Sequence, residues 1–320
     1  MRMTAIILSA MLVLVVVGMF ICAAYKSGTD GQGPPPVQTG PATNATPLRL
    51  ALIPERNIFA QRQRYQSLAD DLAEHLNRPV ELVSLNTYQS VLDEFAQKHI
   101  EGAFVGSMLA VLAYERLGTV VLAKPAHPDG VSTYAGVIIV RDDSPISDIA
   151  GLAGRSIALV RTTTAGNLFP IYLFHRNDML TDVKRPIFRW VGTHDDVINE
   201  VIAGTVDAGA VKNLRLDAYL TEHPEVRIRR LATSDQVPDN GLIVSGDMPA
   251  DQMRALRETL LKMDQDERGR AALKAFGSKG FAPCRIEDYQ AVYRMVDEIG
   301  SAWDQLGVAG PPPKPLTPGN

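Results

Sequence analysis

The sequence predicts an α/β protein folded as two lobes around a cleft, held behind an apolar N-terminal segment. Strand-like apolar runs alternate with helix-period segments from residue 48 to about 307, which is the signature of sheets covered by helices. The alternation runs twice, and two extended stretches near 134–140 and 241–245 join the halves. A third observation, the uncharged stretch from Thr4 to Ala24, sets the N-terminus apart from both lobes.

Ile6 to Ala24 is almost wholly apolar. A secretory signal has an apolar core of about 7–15 residues and a membrane span needs about 20, so the length favours a span. Arg2 precedes the run, which keeps the N-terminus cytoplasmic and sends the remainder across. Residues 1–25 are therefore expected to be a signal anchor or a signal peptide. Cys22-Ala23-Ala24 leaves cleavage open, and a lipidated Cys22 is a weaker third reading because Met19-Phe20-Ile21 lacks the small residue expected before it. All three export the chain. Residues 26–47, with Gly33-Pro-Pro-Pro36, are too rich in Gly, Pro, Thr and Gln to build a core and read as a disordered linker. The proline-rich tail, 308–320, reads the same way.

The first lobe opens with a strand at 48–53, a helix at 62–76 carrying Tyr65, Leu68, Leu72 and Leu76 on one face, and a strand at 80–84. A helix marked by Val91, Leu92 and Phe95 follows, then a short strand at 102–105, a helix at 108–117 and a strand at 120–123. This order implies a mostly parallel sheet covered on both faces. After the crossing at 134–140, strand 156–160 leads into helix 165–176, strand 187–191 into helix 195–203, and strand 208–211 into a helix near 214–220. A strand at 226–231 ends this half. Three helices near 249–263, 266–276 and 286–305 finish the chain. The expected lobes are 48–136 plus 242–307, and 137–241.

The formal net charge of −4 and the absence of a basic patch interleaved with aromatics exclude a nucleic-acid partner. With only Cys22 and Cys284, no disulfide framework is indicated, and Cys284 reads as a small semi-buried residue. There is no Walker loop, nucleophile elbow, His-Glu-x-x-His or paired-cysteine pattern, so neither a metal nor a cofactor is expected.

The most informative stretch is Arg161-Thr-Thr-Thr-Ala-Gly-Asn-Leu-Phe-Pro170, between the strand Ser156–Val160 and a helix start. First-turn N–H groups have no intrahelical partner and sit at the positive end of the helix dipole. Hydroxyls of Thr162, Thr163 and Thr164 beside them, with Gly166 allowing close approach, suit a small oxyanion. The alternative is a threonine that only caps the helix.

Ser132-Thr-Tyr-Ala-Gly-Val-Ile-Ile-Val140, together with Ser156–Pro170, resembles the phosphonate-type periplasmic binding proteins of ABC importers, which handle phosphate, phosphite and phosphonates. Arg64-Tyr-Gln-Ser-Leu-Ala-Asp70, Ala103-Phe-Val-Gly-Ser-Met108, Gly192-Thr-His-Asp195 and Val206-Asp-Ala-Gly-Ala-Val211 agree in order, so the resemblance covers about 48–300. It implies the two-lobed, type II venus-flytrap fold with both crossovers acting as hinge. The family's Ser-Thr-Ser-Gly anion loop falls on Thr163, Thr164, Ala165 and Gly166, with alanine replacing one hydroxyl and Thr162 able to compensate. The family's tyrosine falls on Tyr134 and its Ser-His-Glu segment on Thr193, His194 and Asp195. In aminoalkylphosphonate binders that carboxylate meets the ligand amine, which keeps such a ligand open.

The remaining candidates each carry a plainer alternative. Tyr134 is either an anion donor or an interface aromatic, Ser107 a cleft hydroxyl or an N-cap, and His194 an anion donor or a local hydrogen-bonding residue. Asp207 reads more simply as a solvated loop carboxylate. Lys212 is divided between cleft cation and surface charge, and Glu55, Arg56 and Asn57 are held weakly. The preferred function is capture of a small oxyanion for an ABC permease on the periplasmic side of the inner membrane, tethered by the N-terminal helix or released after cleavage. A sensor signalling to a membrane kinase, mildly favoured by Ala165, and a cleft enzyme acting on a phosphorus compound are the rivals.

Overall fold

The computed structural model describes residues 37–39, 45–55, 58–127 and 129–314. The apolar segment 4–24 lies outside them, as do Arg56 and Asn57; among the described residues no helix is long and apolar enough to cross a membrane.

The first part of the chain forms β1 (Val37–Thr39), β2 (Leu48–Leu52), α1 (Ile58–His75), β3 (Val80–Ser84), α2 (Ser90–Ala96), β4 (Gly102–Val105), α3 (Ser107–Leu117) and β5 (Val120–Ala126). The crossing strands β6 (Thr133–Tyr134) and β7 (Gly136–Arg141) follow. Then come β8 (Ser156–Val160), α4 (Phe169–Arg176), β9 (Ile187–Val191), α5 (His194–Ala203), β10 (Ala208–Lys212), α6 (Asn213–Glu222) and β11 (Ile228–Thr233). The chain returns through β12 (Val237–Pro238) and β13 (Gly241–Val244) and ends in α7 (Ala250–Lys262), α8 (Glu267–Phe276), β14 (Gly280–Pro283) and α9 (Gln290–Ile299).

Among the described residues two large sheets form, one ordered β1-β3-β2-β4-β13-β5-β14 and the other β11-β7-β10-β8-β9, with a two-stranded β12-β6 ribbon besides. Both are mixed rather than mostly parallel. β2, β3 and β4 are parallel, as are β8, β9 and β10, where helices return the chain. The crossing strands run against them: β13 is antiparallel to β4 and β5, and β7 to β10 and β11. The two crossings also pair, Val237 with Tyr134 and Pro238 with Thr133. This ribbon joins the lobes directly behind the site.

Period-two alternation decides which core each strand feeds. Leu48, Leu50 and Leu52 of β2 face α1, α7 and α8, packing with Leu68, Leu72, Leu256 and Leu260, whereas Ala51 and Ile53 face the core shared with the second lobe. Tyr65 and Phe104 (ring centroids 5.1 Å apart) and Tyr65 and Phe276 (4.9 Å) anchor the first face. The shared core runs through Met108, Tyr134 and Tyr289 to Leu159, Phe169 and Phe174, and α9 packs against both α3 and α4.

Three further expectations are corrected. Val37–Thr39, placed in the linker, adds an edge strand antiparallel to β3; edge pairing uses backbone groups and needs no apolar pattern. The helix expected over 165–176 is a π-helical turn at Thr164–Leu168 followed by α4. Leu168 N–H reaches back to Thr163 O at 3.1 Å, and Pro170 has no N–H to give Gly166 in an α-helical register. The start of the expected disordered tail is tied down: Trp303 Nε1 donates to Gly310 O at 2.9 Å, and Arg116 to Ala309 O and Pro311 O at 2.6 and 2.8 Å.

Candidate functional site

The carboxyl ends of β2, β4, β8 and β10 all point at the groove between the lobes, where ligands of such sheets bind. At its centre is a cavity of about 10 Å³, walled by Glu55, Tyr88, Tyr134, Thr162, Thr163, Thr164, His194, Lys212 and Asn240, with Ile53 and Gly106 behind them. That volume holds about one water. A wider groove of about 370 Å³ opens beyond Tyr88 and Thr162, and there the Arg161 guanidinium lies 4.0 Å over the Trp190 ring. The converging polar atoms belong to the inner cavity.

The three threonines do different things. Thr162 is buried with φ +61°, a left-handed conformation that a β-branched residue adopts only under strain. Thr163 caps the turn: its hydroxyl donates to Val160 O at 2.8 Å and accepts from Gly166 N at 3.1 Å. Thr164 Oγ1 instead accepts from Met108 N at 2.8 Å, across the groove at the N-terminus of α3. Gly166 therefore offers no free N–H to a guest. Its role is fit, because a Cβ there would lie 2.8 Å from Thr163 Oγ1 and 3.0 Å from Val160 Cβ. The Ala165 backbone passes close to Gly136 of β7, where an added Cβ would meet the Ala165 Cα at 3.0 Å, and Ala165 is not part of the cavity wall.

Ser107 and Tyr134 complete this cross-lobe contact. The Tyr134 hydroxyl is hydrogen-bonded to Thr164 and Ser107, and burial pushes the phenol up. Ser107 Oγ donates to Pro238 O of the crossing ribbon at 2.6 Å and does not wall the cavity. Ser107 and Tyr134, together with Thr164, thus close one lobe on the other.

A capping box sets His194 at the start of α5: Asp196 N donates to Thr193 Oγ1 at 3.1 Å, and Thr193 N to Asp196 Oδ2 at 2.9 Å. The ring is buried, its Nδ1 has no hydrogen-bond partner, and it faces the cavity. Burial first, with Lys212 and Arg215 acting in the same sense against Glu55, lowers it to about 4. The Tyr88 hydroxyl is a second buried polar atom on this wall without a partner.

Two expected site residues sit elsewhere. Asp195 Oδ1 is taken by Arg215, whose Nε and Nη2 lie at 3.1 and 2.6 Å, and it is not part of the cavity wall. Asp207 accepts from Ser156 N and Oγ at 2.9 and 2.7 Å at the amino end of β8. Five residues of strand, about 16 Å at 3.3 Å per residue, separate it from the threonine turn.

Lys212 ends β10 inside the cavity. Its Nζ contacts Asp239 Oδ1, lies 3.5 Å from Glu55 Oε1 and 3.3 Å from Asn240 Oδ1, and stands 4.5 Å from the centre of the Tyr134 ring. Burial pulls Lys212 down, but Asp239 and Glu55 outweigh it, so the ammonium stays charged. Burial likewise pushes both carboxyls up, and Lys212 turns each of them down overall. Asp239 is also 3.0 Å from His127 Nε2. Sequence reading missed Tyr88, Asp239, Asn240 and Arg215. Pro238-Asp-Asn-Gly241 carries only a turn signal, and Tyr88 lies in a loop before α2.

The family model described as the periplasmic substrate-binding protein of phosphonate ABC transporters matches residues 50–289. The chain belongs to that family of periplasmic binding proteins, which bind substrates for ABC transporters and are not enzymes. A probable ABC transporter phosphite-binding protein, PhnD1 of Prochlorococcus marinus (strain MIT 9301), is 22% identical over 279 residues, covering 82% of this chain and 92% of the relative. The structure of PhnD1 in complex with methylphosphonate superposes with a TM-score of 0.69 at 20% identity, over 79% of this chain and 98% of that one. A Xanthomonas citri protein solved with chloride gives 0.69 at 21% identity, over 81% and 99%. These structural likenesses establish the two-lobed fold.

Proposed function

We propose that this chain captures a small phosphorus oxyanion, such as phosphite, phosphate or a phosphonate, in the interlobe cavity and delivers it to an ABC permease. The observation that carries the reading is the pair of buried, unpartnered polar atoms, His194 Nδ1 and Tyr88 Oη, facing the Thr162–Thr164 turn and the charged Lys212. Such orphans cost stability unless a guest satisfies them. An oxyanion needs the reverse, several donors at once, because its desolvation is otherwise prohibitive. PhnD1's phosphite-binding description and its methylphosphonate complex support the ligand class.

A cavity of about 10 Å³ is too small for a tetrahedral oxyanion, so entry requires the lobes, 48–136 plus 242–307 and 137–241, to part about the β6–β12 ribbon. The guest would bind beside the Met108–Thr164 contact, which re-forms as the lobes close over it. The uncharged length of 4–24 supports tethering to the inner membrane, with the linker giving reach. Calorimetric titration of the purified full-length chain in mild detergent with phosphite, phosphate and methylphosphonate tests the reading. Saturable one-site binding of at least one is expected, and none from a folded sample would refute it.

A further inference from the structure

The proposed oxyanion site holds a buried arrangement that an oxyanion does not need. Two carboxylates, Glu55 on the cavity wall and Asp239 next to the wall residue Asn240 on the return crossing, are both buried, each 4% exposed. Carboxylates there repel an anion and would suit a cation. The cation is already present, and it is the chain's own: Lys212, from the second lobe, contacts both of them under the face of Tyr134. The carboxylate oxygens are engaged as a set. Asp239 Oδ1 meets Lys212 and Asn240 N (2.7 Å), Oδ2 lies 3.0 Å from His127, and Glu55 is held by Lys212 and Asn240.

We propose that Lys212 is a tethered ammonium occupying the place that the cationic end of a zwitterionic ligand would take. It confines the cavity to small oxyanions without an amine and shuts out aminoalkylphosphonates. The inference rests on the oxyanion reading above and names its substrate class. Two consequences of the geometry carry it. A second ammonium would sit against Lys212 Nζ in a water-poor space, where like charges repel strongly. It would also compete with Lys212 for the carboxylate oxygens Asp239 Oδ1 and Glu55 Oε1. Lys212 differs from a surface lysine in both burial and partners, being 5% exposed with three polar groups within 3.5 Å. Its contact with Glu55 crosses between the lobes, so the Lys212–Asp239 pair gains its third member only when they close.

The test titrates the full-length wild type and Lys212→Ala with methylphosphonate and with 2-aminoethylphosphonate by calorimetry. The wild type should prefer methylphosphonate by at least 30-fold, and the alanine variant should gain at least tenfold for 2-aminoethylphosphonate, whose amine replaces the missing one. A separate arm measures melting temperature: ethylammonium at millimolar concentration should stabilise Lys212→Ala, and ethanol should not. Equal wild-type affinity for the two phosphonates, or a folded variant with neither gain nor amine rescue, overturns the proposal and leaves the oxyanion reading standing. Amine rescue without any oxyanion binding overturns the functional reading and leaves the internal ammonium standing. Should Lys212→Ala fail to fold, the wild-type preference decides alone.

Discussion

Thr164→Val separates the cross-lobe contact from ordinary packing. Valine keeps the volume and removes the hydroxyl that accepts from Met108 N at 2.8 Å. Met108 and Thr164 are 1 and 2% exposed, so in the closed form the Met108 N–H would be left buried and unpaired, at about 1–3 kcal/mol. In the open form water satisfies the same group. The whole penalty therefore falls on closure, and apparent affinity should drop about 5- to 150-fold at 1.4 kcal/mol per tenfold. Thr164→Ser retains the acceptor and should stay within about threefold of the wild type by the same arithmetic. Calorimetry with methylphosphonate gives the affinities, and small-angle scattering of the unliganded proteins reports closure; the valine variant should be the more extended. Wild-type affinity in Thr164→Val, or an equal loss in Thr164→Ser, would refute the hydroxyl's role.

Three further outcomes are expected. His194 titrates near 4 when folded against an ordinary 6.5, so the unfolded chain takes up the proton first as pH falls. Its contribution is complete above pH 6.5 and is lost between 6.5 and 4, up to about 3 kcal/mol; denaturant melts should show this slope flattened in His194→Asn, and an unchanged slope would contradict the buried neutral ring. Thr162→Gly relieves the positive φ and should raise stability by about 1 kcal/mol while weakening oxyanion binding at least threefold; a lower melting temperature would show that the threonine is not strained. Asp207→Asn weakens the tie to Ser156 and should cost about 1 kcal/mol of stability with affinity unchanged within twofold; a loss of affinity would return Asp207 to the site.

The strands, the helices and the two crossings are legible because burial imposes its period on the sequence, and β8 reads as apolar from Ile157 to Val160 for that reason. The threonine turn is legible too, as hydroxyls at a strand's carboxyl end. Which hydroxyl meets which partner is not. Thr163 bonds within its own turn, whereas the partner of Thr164 lies 56 residues away in sequence. Asp207 misled because it precedes its strand, and only the carboxyl end faces the groove; Lys212, at the other end of the same strand, does. Asp239 gains its meaning from Lys212 and Glu55, brought together by folding from three separate segments. β1 was not legible, since its pairing with β3 uses backbone groups that leave no mark on the sequence.

The most direct measurement is the heat of binding of phosphite, phosphate and methylphosphonate to the folded full-length chain. One-site saturation by at least one of them, competed by the others and weakened in Thr164→Val, is the expected result. Flat titrations for all three, from protein that melts cooperatively, would mean that the groove between the lobes holds something other than a phosphorus oxyanion.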